Sequence, residues 1–338
     1  MLKPFISVVI PTWRSNKILT RCLNSLYIQD YPKNRHEIIL ISPKPLVILH
    51  ARVKTIKISR DLNHAEARNI GVSASRGSII AFCDDDCILP SNWLTSGFSH
   101  FKNKKTALVG GPVTPPYNTS LKYRLGGYLS GSRFTVGFAA SRYRPVNYIK
   151  EADESNLILA NTFAAKSAFV TCGGFDKDQV PCEENSLCFK MKKAGYKLIY
   201  SSKVICNHPA KPIFFPWAKK IFFYATGRGQ LLARTPATFK TPFIIPSLFI
   251  FSLIVLIPLS IFWLIPRIIF LSIMFIYLTL SLGNALKLYF LVERNLAIII
   301  IAPIATFIVH IAYGLGFSYG FFRYVAGIHS ATKMPSKV

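Results

Sequence analysis

The sequence predicts an α/β fold with a mostly parallel sheet, followed by a C-terminal region of transmembrane helices. Three observations predict it. Short β-branched runs alternate with helical spacings over the first hundred residues, a triplet of carboxylates closes one of those runs, and three charge-free stretches fill the last hundred. Strands alternating with helices of this length imply right-handed crossovers between parallel neighbours.

Ile6–Ile10 (ISVVI), closed by Pro11, reads as a buried strand. Apolar residues at 18, 19, 22, 23 and 26 then take helical spacing. Glu37–Ile41 (EIILI) reads as a second strand, stopped by Pro43 and Pro45, and the alternating Val53–Ile58 as a third. Ala65–Ala74 reads as a helix and Ser78–Cys83 (SIIAFC) as another buried strand. Further on, helices are expected around Pro90–Gly97 and over Ser186–Ala194, with a strand over Lys197–Ile205. Gly110-Gly111 and Gly173-Gly174 read as turns.

The 338 residues carry 41 Lys+Arg against 15 Asp+Glu, and 51% are hydrophobic, which excludes a disordered chain. Residues 1–240 hold 14 of the acids and 35 of the bases, a local charge of 35 − 14 = +21. Beyond them Phe243–Ile265, Ile268–Leu286 and Leu296–Phe322 contain no charge. A bilayer core needs about 20 apolar helical residues, so each stretch is long enough to cross. Pro246, Pro258 and Pro303 are tolerable there as kinks. Residues 1–11 show no signal-peptide pattern, so the basic N-terminal part is expected on the cytosolic side of the cell membrane, where anionic lipid attracts it. No zinc-finger, helix-turn-helix or ribonucleoprotein motif accompanies the charge, and no nucleic-acid partner is expected. All seven cysteines lie before residue 240 without a CxxC pair, and read as reduced thiols.

Ligands of open parallel sheets sit at the carboxyl ends of strands, and there Ser78–Cys83 runs into Asp84-Asp85-Asp86. Adjacent carboxylates repel, and a divalent cation relieves the cost. Alternation puts Asp84 and Asp86 on one side and Asp85 on the other. An acidic turn capping the next helix is the plainer reading. Glu183 and Glu184 open an amphipathic stretch, where the helix dipole favours acids or a general base works beside a like charge. His208, past the Lys197–Ile205 run, is a packing residue or a ligand. Gly227-Arg228-Gly229 is a glycine-flanked cation, fit for a diphosphate or an interfacial anchor. Trp93, Tyr128 and Trp217 are sugar-stacking or packing aromatics.

Taken together the motifs resemble glycosyltransferase family 2, the inverting enzymes of the GT-A fold. Pro11-Thr12-Trp13-Arg14 is similar to the family's opening turn, and Ala67-Arg68-Asn69-Ile70-Gly71 to its ARNxG helix. Asp84-Asp85-Asp86 with Pro90 and Trp93-Leu94 resembles its metal motif, and Asn161 through Gly173-Gly174-Phe175-Asp176 its acceptor segment. Glu183-Glu184 stands where the family has Glu-Asp, and Ala194-Gly195-Tyr196 and His208-Pro209 follow in order. The resemblance spans about residues 5–230 and is greatest to membrane-attached members that build surface polysaccharides.

The resemblance implies a catalytic domain over 1–235 and a membrane region over 236–338, with spans near 243–265, 268–290 and 296–322. It implies transfer of one sugar from a nucleotide-diphosphate sugar, a uridine diphosphate sugar by preference, to a lipid-linked saccharide. Mg²⁺ or Mn²⁺ would be held by Asp86 and Asp84, and Glu184 would be the base, with Glu183 orienting it. Pro11, Thr12, Arg14, Arg68, Asp85 and Arg228 would line the donor; Asn161, Gly174, His208 and Trp93 the phosphate or acceptor side. Two departures stand out: no carboxylate follows the second strand, where Ser42-Pro43-Lys44 stands, and Glu184 replaces the family's Asp. The QxxRW pattern of processive synthases is absent, which favours a single transfer. The rival readings are a polyprenyl-phosphate glycosyltransferase and a catalytically silent membrane partner.

Overall fold

The computed structural model describes residues 3–13, 17–48, 50–115, 119–144 and 147–328. In chain order the elements are β1 (Ile6–Pro11), α1 (Lys17–Tyr27), β2 (His36–Ser42), β3 (Val53–Lys57), α2 (His64–Ser73), β4 (Ile79–Phe82), α3 (Trp93–Phe98), β5 (Thr106–Gly110) and β6 (Val113–Thr114). There follow α4 (Leu121–Ser130), α5 (Arg133–Val136), β7 (Ile149–Glu151), β8 (Thr162–Ala165), α6 (Lys166–Thr171), α7 (Glu183–Lys193), β9 (Lys197–Ser201) and β10 (Cys206–Asn207). The last four helices are α8 (Phe215–Arg234), α9 (Thr241–Phe262), α10 (Leu264–Leu291) and α11 (Ala297–Val325).

The chain divides into two compact units, Met1–Pro116 with Ser141–Pro209, and Tyr117–Ala140 with Ala210–Val338. The first is built on an eight-stranded sheet of order β3-β2-β1-β4-β8-β5-β9-β7. Only β8 and β7 run against the other strands. β1, β2 and β4 are buried on both faces, which is why they read as unbroken apolar runs rather than alternating ones. One face, with Val8, Ile10, Ile38 and Leu40, packs with Leu19, Leu23 and Leu26 of α1. On the other, Gly71 of α2 lies so close that a Cβ would stand 2.5 Å from Val9 and 2.8 Å from Ile41.

β1 pairs with β2 on one side and β4 on the other, so the strand order reverses at β1. The loops leaving β1 and β4 open at that switch point, where open α/β sheets bind their ligands. The predicted strand over Lys197–Ile205 is shorter than its apolar run. A turn closes from Val204 N to Ser201 O at 3.2 Å, and Cys206–Asn207 leaves to form a separate parallel pair with Val113–Thr114. Gly111 is no free turn either, since a Cβ there would meet Val204 O at 2.1 Å.

The second unit is helical. α9, α10 and α11 are long and apolar enough to cross a membrane, and α9 buries no residue at all. Such an apolar surface is the signature of membrane association. The sequence places residues 119–140 and α8 with the catalytic domain, because charge stops only near 240. Here they pack with the apolar helices. Leu125 and Leu129 of α4 share a core with Trp217 of α8, Leu288 of α10 and Ile298 of α11.

Candidate active site

Two segments converge at the switch point. The turn after β4 carries Asp84, Asp85 and Asp86, and the exit of β10 carries His208. Backbone bonds between Ile88 and Asn207, N to O at 2.8 Å and O to N at 3.0 Å, fix their spacing. His208 Nε2 lies 3.1 Å from Asp86 Oδ1 and 3.7 Å from Asp84 Oδ2. Burial alone would lower the imidazole. Hydrogen bonds to Asp84 and Asp86 outweigh it, and the ring is pushed up to about 10. Asp85 turns away and accepts a 2.7 Å bond from Thr12 Oγ1, which ties the β1 loop to the triplet. Thr12 N in turn donates to Ile41 O at 2.8 Å, so the ends of β1, β2 and β4 are joined behind Pro11.

Helix α2 brings in the third component. Asn63 caps it, accepting from Ala65 N and Glu66 N while Glu66 Oε2 accepts from Asn63 N. One turn on, the buried Arg68 bridges two motifs, with Nη1 at 3.0 Å from Glu183 Oε1 and Nη2 at 3.0 Å from Asp84 Oδ1. Its neighbour Asn69 holds the loop before α7, donating to Phe175 O at 2.8 Å and accepting from Phe175 N at 3.0 Å. Gly174 there has φ +64 and faces Asn69 Oδ1, so a side chain would be strained and crowded.

Glu183 and Glu184 open α7 and both are buried. Burial, and then the charge of Glu184, raises the Glu183 carboxyl to about 7 despite Arg68. Glu184 Oε1 sits 3.6 Å from Arg142. That arginine is itself buried and is held by Ser155 O at 2.9 Å, by Glu154 O and by Asn185 Oδ1 at 3.0 Å. The first carboxylate is thus tied into the Asp84 cluster and the second is held more loosely.

Not every residue singled out in the sequence lies at this site. Asn161 is fully buried; its amide accepts from Trp93 Nε1 at 2.8 Å and donates to Pro112 O and Val204 O at 3.1 and 2.7 Å. Trp93 packs against Phe163 with the rings tilted and their centroids 4.6 Å apart. Both side chains are spent on the framework and present no surface to a substrate. Arg228 belongs to the helical unit, where it is buried over the Phe243 ring at 4.4 Å. The glycine after it serves close helix packing, since a Cβ on Gly229 would stand 2.0 Å from Phe317 O. Tyr128 and Trp217 pack in the same helical core. Arg14 lies outside the described residues.

Two participants escaped the sequence reading. Arg142 stands in no motif, and nothing in its neighbours marks it. Cys87 follows the triplet directly and reads as an ordinary thiol, yet its Sγ joins Asp86 and His208 in a group whose donor atoms lie within 4.8 Å of one another. Oxygen and nitrogen donors converging from two backbone-stapled segments are a fit donor set for a divalent cation.

A doubly covered α/β sheet with a carboxylate triplet at its switch point and a carboxylate pair opening a later helix is the arrangement of a GT-A fold. Residues 7–151 match the model of glycosyl transferase family 2. Among curated relatives, the glycosyltransferase AglE of Haloferax volcanii is 27% identical over 242 residues, covering 68% of this chain and 73% of its own. A Methanococcus voltae enzyme is 22% identical over 334 residues, 94% of this chain and 96% of its own. Its name is dolichyl N-acetyl-α-D-glucosaminyl phosphate 3-β-D-2,3-diacetamido-2,3-dideoxy-β-D-glucuronosyltransferase. A mannosyltransferase of Pyrobaculum calidifontis, solved with GDP-mannose and Mn²⁺, superposes with a TM-score of 0.53 at 17% identity. That match covers 70% of this chain and 66% of the mannosyltransferase, and shows the shared fold.

Proposed function

We propose that the chain is a membrane-attached inverting glycosyltransferase that moves one sugar from a nucleotide-diphosphate sugar to a lipid-linked saccharide in surface-glycan assembly. The observation that carries it is the Arg68 bridge, which gathers Asp84 and Glu183 beside the Asp86–His208 pair in one buried cluster. Full-length similarity to an enzyme named for a dolichyl-phosphate-linked acceptor, helical region included, supports the acceptor class. The catalytic domain would lie on the cytosolic face, with the helical region spanning the membrane more than once.

Asp86 and His208 would hold Mg²⁺ or Mn²⁺, with Asp84 kept facing them by Arg68. The bound cation would supply neutralisation of charge on the departing diphosphate. Thr12 fixes Asp85 so that the triplet keeps its turn when the donor enters. Glu184 takes the proton of the acceptor hydroxyl at its carboxylate oxygen, Arg142 limits how far that carboxylate swings, and Glu183 stands beside it.

The test is release of nucleoside diphosphate from a panel of nucleotide sugars by detergent-purified protein, with Mn²⁺, Mg²⁺ or EDTA and with a membrane-lipid extract. Release from one donor that EDTA and Asp86→Ala abolish is expected. Product analysis by mass then separates a lengthened lipid-linked glycan from a single sugar on lipid monophosphate. Silence with every donor would sink the enzymatic reading.

A further inference from the structure

Arg228 plays no part in the chemistry proposed above, yet it is a buried charge without a counter-charge. The residue is 7% exposed, and its Nη1 is closed to solvent with no hydrogen-bond acceptor among the described residues. Its guanidinium lies over the Phe243 ring at 4.4 Å, and an aromatic face offsets only part of the cost of taking a cation out of water. The helical unit has no anion to give. Tyr117–Ala140 and Ala210–Val338 contain one acidic side chain, Glu293, and Arg124 occupies both of its oxygens at 2.6 and 2.9 Å.

The setting is fixed by the backbone. A Cβ on Gly229 would stand 2.0 Å from Phe317 O, so α8 lies directly on α11 here. Beyond α8 the chain turns sharply: Thr235 N donates to Leu231 O at 2.8 Å, Phe239 N to Pro236 O at 3.0 Å and Phe243 N to Lys240 O at 2.9 Å. That corner returns the start of α9 over Arg228, and it also carries Arg234 and Lys240. Phe243 is in the first turn of Thr241–Phe262, a helix long and apolar enough to cross a membrane. The guanidinium beneath it therefore lies at a membrane boundary, the depth of lipid phosphates. An arginine keeps its charge and can fork two phosphate oxygens, which is the pairing Arg228 lacks. We infer that Arg228 binds the phosphate group of a lipid. Identifying that lipid with the carrier of the acceptor rests on the proposed function; the phosphate site itself does not.

The probe is farnesyl phosphate, titrated calorimetrically into the full-length protein in a non-ionic detergent, with farnesol, inorganic phosphate, UDP and GDP as comparisons. Farnesyl phosphate is expected to bind saturably and at least roughly 10-fold more tightly than any of them. Arg228→Met is expected to weaken it by at least roughly 10-fold, and Arg228→Lys, which keeps the charge without the fork, by less. Without ligand, Arg228→Met is expected to melt no lower than the wild type, because it removes an unpaired buried charge. A pure packing role predicts the opposite pair of results, a lower melting temperature with unchanged affinity, and finding them overturns the inference. Farnesol binding as tightly as farnesyl phosphate overturns it without any variant. Inorganic phosphate or a nucleoside diphosphate binding equally well through Arg228 overturns the assignment to a lipid. Arg228-dependent binding of farnesyl phosphate without nucleotide-sugar turnover leaves the site standing and sinks the proposed function; turnover without such binding does the reverse.

Discussion

Arg68 holds two carboxylates from distant parts of the chain with two different nitrogens of one guanidinium. A lysine at this position offers a single point charge and cannot keep both at 3.0 Å. Arg68→Lys is expected to fold normally and to lose turnover by about 100-fold, because displacement of catalytic groups by an ångström costs that much. Steady-state transfer kinetics beside a thermal unfolding curve would check it, and unchanged turnover would remove Arg68 from the site. The neighbouring Glu183 makes a different prediction. Its carboxyl, raised from the ordinary 4.5 to about 7 by burial and Glu184, binds a proton more tightly in the folded chain than in the unfolded one. Stability contributed by this group is therefore present below pH 4.5 and is lost as pH rises through 7. Glu183→Gln is expected to flatten that fall, so the gap between melting temperatures at pH 5 and pH 8 should narrow. An equal gap in both proteins would show that the pair is not strained by charge.

At the scale of elements, α8 and α11 meet through small residues. A Cβ on Gly320 would stand 1.9 Å from Thr226 O, and one on Gly316 would stand 2.4 Å from Phe222 O. Backbones this close have no room for a side chain, and the far ends of flexible groups are not available to yield. Gly320→Leu is expected to destabilise the helical unit by about 3 kcal/mol or more, at the upper end for overpacking. Gly283→Leu is the control, since a Cβ on Gly283 meets nothing within 4 Å. Thermal stability in detergent should fall for the first and hold for the second. The elements also show what a sequence discloses. β1, β2 and β4 were legible because a strand covered on both faces must be apolar throughout, and the acidic motifs because carboxylates are scarce in so basic a chain. β8 was not, since Thr162–Ala165 is four residues long and runs antiparallel between β4 and β5. Nor was the difference between Asn161, spent on the framework, and His208, which faces the acids; spacing records that a polar residue is present, and only packing decides what it touches. Cys87 was illegible for the same reason.

For the whole molecule, the decisive segment is 119–140, which interrupts the catalytic unit in sequence and belongs to the helical one. Arg124 pairs with Glu293 at 2.6 and 2.9 Å, Ser132 with Asn284 at 2.6 Å, and Leu125 and Leu129 are fully buried among residues of α8, α10 and α11. Burying two leucines contributes roughly 2 kcal/mol each, and removing their partners returns that surface to water. A chain ending at residue 209 keeps this segment and loses everything that covers it, so it is expected to aggregate or stay with the membrane fraction. Replacing 119–140 in that truncation by the same number of Gly and Ser residues is expected to release a soluble, monodisperse catalytic unit, since the eight-stranded sheet draws none of its strands from the segment. Size-exclusion chromatography of the two truncations decides it. If both are equally well behaved, the segment does not depend on the membrane helices; if neither is, the catalytic unit needs them for more than attachment.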